Sequence, residues 1–123
     1  MASPSAVIDV TPGQWTIVRG ILLKHVPDYE VWAFGSRTQG SAKPFSDLDL
    51  AIVSEQPLPL DLYAALSDDF SESDLPWKVD VVDWASTSNV FRAIIERDKV
   101  ILQIPRARQN ASEPDRGSNQ DTL

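Results

Sequence analysis

The chain has 123 residues, with 18 acidic against 11 basic side chains and a formal charge of −7. That length suits one domain without a second lobe, and the acidic balance disfavours non-specific binding to nucleic acid, whose affinity comes from Lys and Arg displacing counterions. With no cysteine, no apolar run near ~18 residues and no basic-then-apolar leader, neither disulfides, thiolate metal sites, a membrane span nor a secretory signal is expected, which suits a cytoplasmic protein.

Residues 1–10 read as a flexible start. Thr11-Pro12-Gly13-Gln14 then signals a helix, with threonine as N-cap, proline at the first position and glutamine able to complete a capping box. Trp15, Val18, Ile21, Leu22 and Val26 follow at helical spacing until Pro27. The short apolar run 31–34 predicts a strand opening onto a turn at Gly35, and residues 47–53 predict a second strand. Pro57 and Pro59 mark a loop, and Leu62, Ala65, Leu66 and Phe70 outline a helix from near Leu60. Residues 78–84 predict a third strand, Ser86-Thr87-Ser88 caps a last helix carrying Val90, Phe91, Ile94 and Ile95, and 99–104 is an extended or helical finish. From 105 to 123 the chain turns polar and is expected to be disordered. The expected domain is therefore 11–104, an α+β (mixed α/β) fold with a small mixed sheet flanked by helices.

The chemistry concentrates around residues 35–49. Alternation on a strand puts Asp47 and Asp49 on one face and Leu48, Leu50 and Ile52 on the other, where they can pack under helices. Two carboxylates on one face need a counter-charge, and a divalent cation such as Mg²⁺, bound by one or two carboxylates with substrate phosphates, supplies it. Gly35 lets the backbone turn sharply and approach a ligand. A short helix over residues 36–40 would turn its free amides, the Ser36 hydroxyl and Arg37 toward a phosphate. The 12-residue connection, 35–46, is long for so small a domain, a length typical of functional loops. A third carboxylate would let two ions hold attacking and leaving oxygens, and the strand 78–84 offers Asp80 and Asp83. Asp80 is preferred because it lies deeper in an apolar strand, where an unpaired charge is costly. Asp83 points to the other face, near the strand end.

Gly35-Ser36-x10-Asp47-Leu48-Asp49, with Asp80 on a later strand, resembles the signature of the DNA polymerase β-like nucleotidyltransferases. The run Phe34-Gly-Ser-Arg-Thr-Gln-Gly-Ser-Ala-Lys-Pro-Phe-Ser-Asp-Leu-Asp-Leu resembles the minimal subgroup, the MNT-domain, MntA-type antitoxins of HEPN–MNT toxin–antitoxin modules. The likeness extends from about Trp15 to Leu102. It implies the nucleotidyltransferase fold, Mg²⁺ (two ions) at Asp47, Asp49 and Asp80, and ATP as substrate, with Gly35, Ser36, Arg37 and Ser46 at the nucleotide. Asp80 would activate the attacking hydroxyl. Gln39 stands where the family often has a second basic residue, leaving fewer cations for the triphosphate.

The resemblance implies an enzyme that transfers AMP from ATP to a tyrosine of a HEPN ribonuclease toxin and so neutralises it. Two other functions stay open: nucleotidyl transfer to a small molecule such as an aminoglycoside, and inhibition of the partner by binding alone. Other residues have plainer readings. His25, the only histidine, is expected to cap its helix C-terminus. Trp15, Trp32, Trp77 and Trp84 are expected in the core or at a partner interface, and Asp68, Asp69 and Glu72 on a solvated face. Lys43 could reach a phosphate from the loop.

Overall fold

The computed structural model describes residues 8–106. Helix α1 (Pro12–His25) begins on the capping box: Thr11 accepts from the Gln14 amide while the Gln14 side chain accepts from the Thr11 amide. Strand β1 (Glu30–Phe34) runs into the 3-10 turn Ser36–Thr38. Then come β2 (Leu48–Val53), α2 (Leu60–Ser71), β3 (Val79–Asp83), a second 3-10 turn (Trp84–Ser86), α3 (Asn89–Asp98) and β4 (Val100–Gln103). Ser88 caps α3 by accepting from the Phe91 amide.

The four strands form one sheet in the order β3-β2-β1-β4, with β1 antiparallel to β2 and β4 and with β2 parallel to β3. The finish expected as extended or helical is therefore a strand, placed at the edge beside β1. The two faces of β2 separate as alternation requires. Leu48, Leu50 and Ile52 join Val31, Ala33 and Val81 under α1 and α2, through Val18, Leu22, Leu66 and Phe70. Ala51 faces the other side, with Trp32, Phe34 and Ile95 of α3. No helix among the described residues is long and apolar enough to cross a membrane.

Packing starts before the expected boundary at residue 11. Ile8 is buried in the main core and the Asp9 amide donates to the Arg37 carbonyl at 2.7 Å. At the other end Arg106 pairs with Asp28 and donates its amide to the Pro27 carbonyl. Residues 1–7, and the tail from 107 expected to be disordered, lie outside the described residues.

His25 stands in the last turn of α1, as expected of a basic residue at a helix C-terminus, and it also reaches a second helix. Its Nε2 sits 2.8 Å from Asp69 Oδ2, and Lys24 approaches the same oxygen at 3.3 Å, so the pair ties α1 to α2. Hydrogen bonding from His25 is the main cause holding the Asp69 pKa below the ordinary carboxylate value. Asp69 is thereby an inter-helix contact, not part of a plain solvated face. The tryptophans follow the core expectation: Trp32 and Trp77 are buried, while Trp15 and Trp84 pack partly buried against the two cores.

Candidate active site

The turn after β1 depends on Gly35, whose φ of +86° and ψ of −158° fall in a region essentially closed to other residues. A Cβ at this position would collide with the Asp49 carboxylate. Glycine therefore serves twice: it reverses the chain and lets the backbone lie against Asp49. The turn is closed by Thr38, whose amide and hydroxyl both donate to the Gly35 carbonyl, at 3.0 and 2.8 Å. Ser36 opens this turn directly after Gly35.

Arg37 departs from its expected orientation toward a phosphate. It is 5% exposed and its guanidinium is spent on the protein's own backbone. Nε donates to the Ser46 carbonyl at 2.9 Å, Nη1 to Asp9 at 2.6 Å, and Nη2 to Pro44 at 3.1 Å and Lys43 at 3.3 Å. The same group stacks over the Trp77 ring, 4.5 Å from its centroid. Burial lowers its pKa, against the opposing charges of Asp9 and Asp47. A planar fork of donors matches several converging carbonyls, so Arg37 is the strut that shapes the 35–46 loop. Ser46 helps it: its hydroxyl accepts from the Lys43 amide at 2.9 Å and its amide donates to the Lys43 carbonyl at 3.0 Å. Lys43 itself is exposed.

The acids come together through strand register. Asp49 is paired with Phe34 on β1 and with Asp80 on β3, so both carboxylates leave the same face of the sheet. Asp47 stands two residues before Asp49, just ahead of β2. Asp49 is half-buried and its pKa is pushed up to about 6, first by burial and then by the charges of Asp80 and Asp47. Asp80 is not buried, contrary to the reason for preferring it. It lies on an edge strand, its side chain 53% exposed, with Lys78 Nζ 3.6 Å away. Two-residue spacing in a strand puts Lys78 on the face of Asp80.

Asp83 is paired with Ile52 and turns to the opposite face. Its Oδ2 accepts from the Leu58 amide at 3.2 Å and the Ser86 hydroxyl at 3.0 Å, fastening the loop before α2 to the end of β3.

The donor set suits a hard divalent cation: three carboxylates concentrated on one face, one of them resisting ionisation first through burial and then through the charges of the others. Among the described residues no three such side chains are already drawn to ligating distance of a common point. The charge distribution, not a closed coordination shell, therefore carries the fit.

The sequence profile of the nucleotidyltransferase domain family matches residues 16–112. An MntA of Haemophilus influenzae, named a probable protein adenylyltransferase, is 54% identical over 98 residues, spanning 80% of this chain and 86% of that protein. A chain of a toxin–antitoxin crystal structure with AMP-PNP matches the fold with a TM-score of 0.63 at 23% identity, over 79% of this chain and 78% of that one. A chain of the Shewanella oneidensis complex between a tri-AMPylated HEPN toxin and its MNT antitoxin matches with a TM-score of 0.57 at 21% identity, over 79% and 75%. At this level of identity both structures speak for the fold alone. On its sequence, the chain belongs to the nucleotidyltransferase domain family, among the relatives of MntA.

Proposed function

We propose that this protein is a Mg²⁺-dependent antitoxin that transfers AMP from ATP to a tyrosine of a HEPN ribonuclease toxin. The observation that carries the reading is the Gly35 backbone laid against Asp49, whose carboxylate is itself crowded by Asp47 and Asp80. A small acidic face of this kind is unfavourable until a cation and a triphosphate share it. The kinship with a protein adenylyltransferase supports the direction of transfer.

In this reading Asp47, Asp49 and Asp80 hold the cation, probed as one ion or two. When bound, it neutralises the triphosphate and the charge developing on the leaving pyrophosphate. Ser36 and the first amides of the 3-10 turn bind phosphate oxygens, with Gly35 admitting them to close range. Arg37 and Ser46 support the nucleotide indirectly, by holding the loop in shape. The tyrosine oxygen attacks the α-phosphorus, a P–O bond to that oxygen forms, and the bond to the β-phosphate bridge breaks to release pyrophosphate. Asp80, exposed at the sheet edge, orients the incoming hydroxyl and accepts its proton. In this reading the acceptor surface is supplied by the toxin. ATP and Mg²⁺ are available in the cytoplasm, the location that suits the activity. No nucleic acid is needed.

The test is incubation of the full chain with ATP, Mg²⁺ and its co-encoded HEPN-domain partner, followed by intact mass measurement of that partner. One or more added AMP masses are expected, with loss of the partner's ribonuclease activity. Absence of added mass, with full neutralisation by an Asp47→Ala/Asp49→Ala variant, would show that the antitoxin acts by binding alone.

A further inference from the structure

Lys78 sets a positive charge among the acids of the sheet. Strand β3 is in register with β2 through Val79 with Leu48 and through Asp80 with Asp49. The Lys78 carbonyl accepts from the Leu48 amide at 2.9 Å, which puts Lys78 one position ahead of that register, alongside Asp47. Alternation turns its side chain the same way as that of Asp80, and its Nζ lies 3.6 Å from Asp80 Oδ1. Both side chains are more than half exposed. Such a pair adds little to stability, so the lysine is free to meet a substrate.

Strand order decides which part of the substrate that is. The Ser36 turn follows β1, Asp47 and Asp49 belong to β2 and its approach, and Lys78 and Asp80 belong to β3, the outer strand. The phosphates assigned to the Ser36 turn and the acceptor assigned to Asp80 therefore lie on opposite sides of β2, with Lys78 on the acceptor side. Other cations serve elsewhere: Arg37 is spent on loop carbonyls, Arg97 faces Asp98 and Lys99 faces Glu96. We infer that Lys78 is a further catalytic residue, whose ammonium meets the acceptor oxygen and the α-phosphate during transfer, an inference that rests on the AMP transfer proposed above. The tyrosine oxygen gives an electron pair to the α-phosphorus, the bond to the bridging oxygen breaks, and pyrophosphate leaves with the pair of that bond. The tyrosine proton passes to Asp80. Lys78 keeps its own proton and offsets the negative charge that builds on the α-phosphate oxygens. A compact charge on a flexible stem suits that task.

Lys78→Met removes the charge at similar side-chain length, and Lys78→Arg keeps it. With the full chain, ATP, Mg²⁺ and the co-encoded HEPN-domain partner, Lys78→Met should lower kcat about a hundredfold and leave the KM for ATP unchanged. Lys78→Arg should recover most of that loss. Arg19→Met, an equal loss of charge on the exposed side of α1, should change neither constant. Calorimetry of Mg²⁺ with the nucleotide-free protein gives a reading independent of turnover. Taking a cation from beside the carboxylates should tighten Mg²⁺ binding about threefold in Lys78→Met. Melting curves check that each variant is folded. Wild-type kcat in Lys78→Met would overturn the inference, as would a loss confined to the KM for ATP, which puts the lysine on the triphosphate. So would Lys78→Arg as slow as Lys78→Met, or Mg²⁺ binding no tighter in Lys78→Met. If the wild-type chain transfers no AMP to the partner, the proposed activity falls and takes the inference with it. An active wild type with an unimpaired Lys78→Met overturns the inference alone.

Discussion

Arg37 and Asp49 show how differently two charged residues of one site can be held. Arg37 gives up its solvation for four carbonyl contacts and a Trp77 face. Arg37→Lys keeps the positive charge and loses the fork, so two or more carbonyls are left unpaired. We expect a loss of about 2–3 kcal/mol in urea unfolding, with charged hydrogen bonds at ~1.5–3 kcal/mol each and not additive. A variant as stable as the wild type would mean that the charge alone matters. Asp49 is the reverse case, a carboxylate whose surroundings oppose its charge. Its folded pKa of about 6 lies above the ordinary carboxylate value. Below about 4 it is protonated in both states and shifts nothing; as pH rises through the folded value, the folded state alone resists losing the proton and stability falls. The metal-free protein should therefore lose part of its stability between about pH 4 and pH 6. Asp49→Asn should lack that component and be the more stable of the two at pH 7.5. The difference stays below the ~1.4 kcal/mol per pKa unit of a dry site, because the group is partly solvated. Paired melting curves at pH 5 and pH 7.5 measure it.

At the level of elements, β3 separates two aspartates three residues apart in sequence. Asp80 is in register with Asp49 and Asp83 with Ile52, so one joins the acidic face and the other ties a loop on the far side. Asp80→Asn should reduce AMP transfer by a hundredfold or more, the scale of a lost acid–base group, with little change in unfolding. Asp83→Asn should do the opposite, costing about 1–2 kcal/mol through weakened bonds to Leu58 and Ser86 and sparing transfer. Equal losses of activity in both would undo the assignment. The elements themselves were largely readable in advance. Thr11 and Ser88 cap the helices as their types dictate, and Pro27 ends α1. Period-2 alternation correctly put Leu48, Leu50 and Ile52 under the helices. Asp80 is the exception: its apolar neighbours suggest burial, yet an edge strand leaves such a residue open, and only the strand order shows which strand is the edge.

The whole molecule gathers negative charge on one face of a small sheet and leaves its neutralisation to what binds there. Added Mg²⁺ should raise the melting temperature at pH 7.5, by the usual linkage in which a ligand of the folded state alone stabilises it. About 2.7 kcal/mol is expected at a hundredfold excess over the dissociation constant, and much less at pH 5, where Asp49 is protonated. An equal shift at both pH values, or the same shift in Asp47→Ala/Asp49→Ala, would place the ion elsewhere.

The sequence by itself determined what is local. Helices, caps, the Gly35 turn and the pairing of Asp47 with Asp49 all depend on spacing within a few residues, where backbone geometry leaves little choice. Tertiary structure alone decided what depends on distant segments meeting. The β2–β3 register brought Asp80, thirty-odd positions downstream, beside Asp49. The convergence of four carbonyls drew Arg37 inward. No periodicity encodes those meetings, because each is set by the packing of the entire core rather than by any one strand.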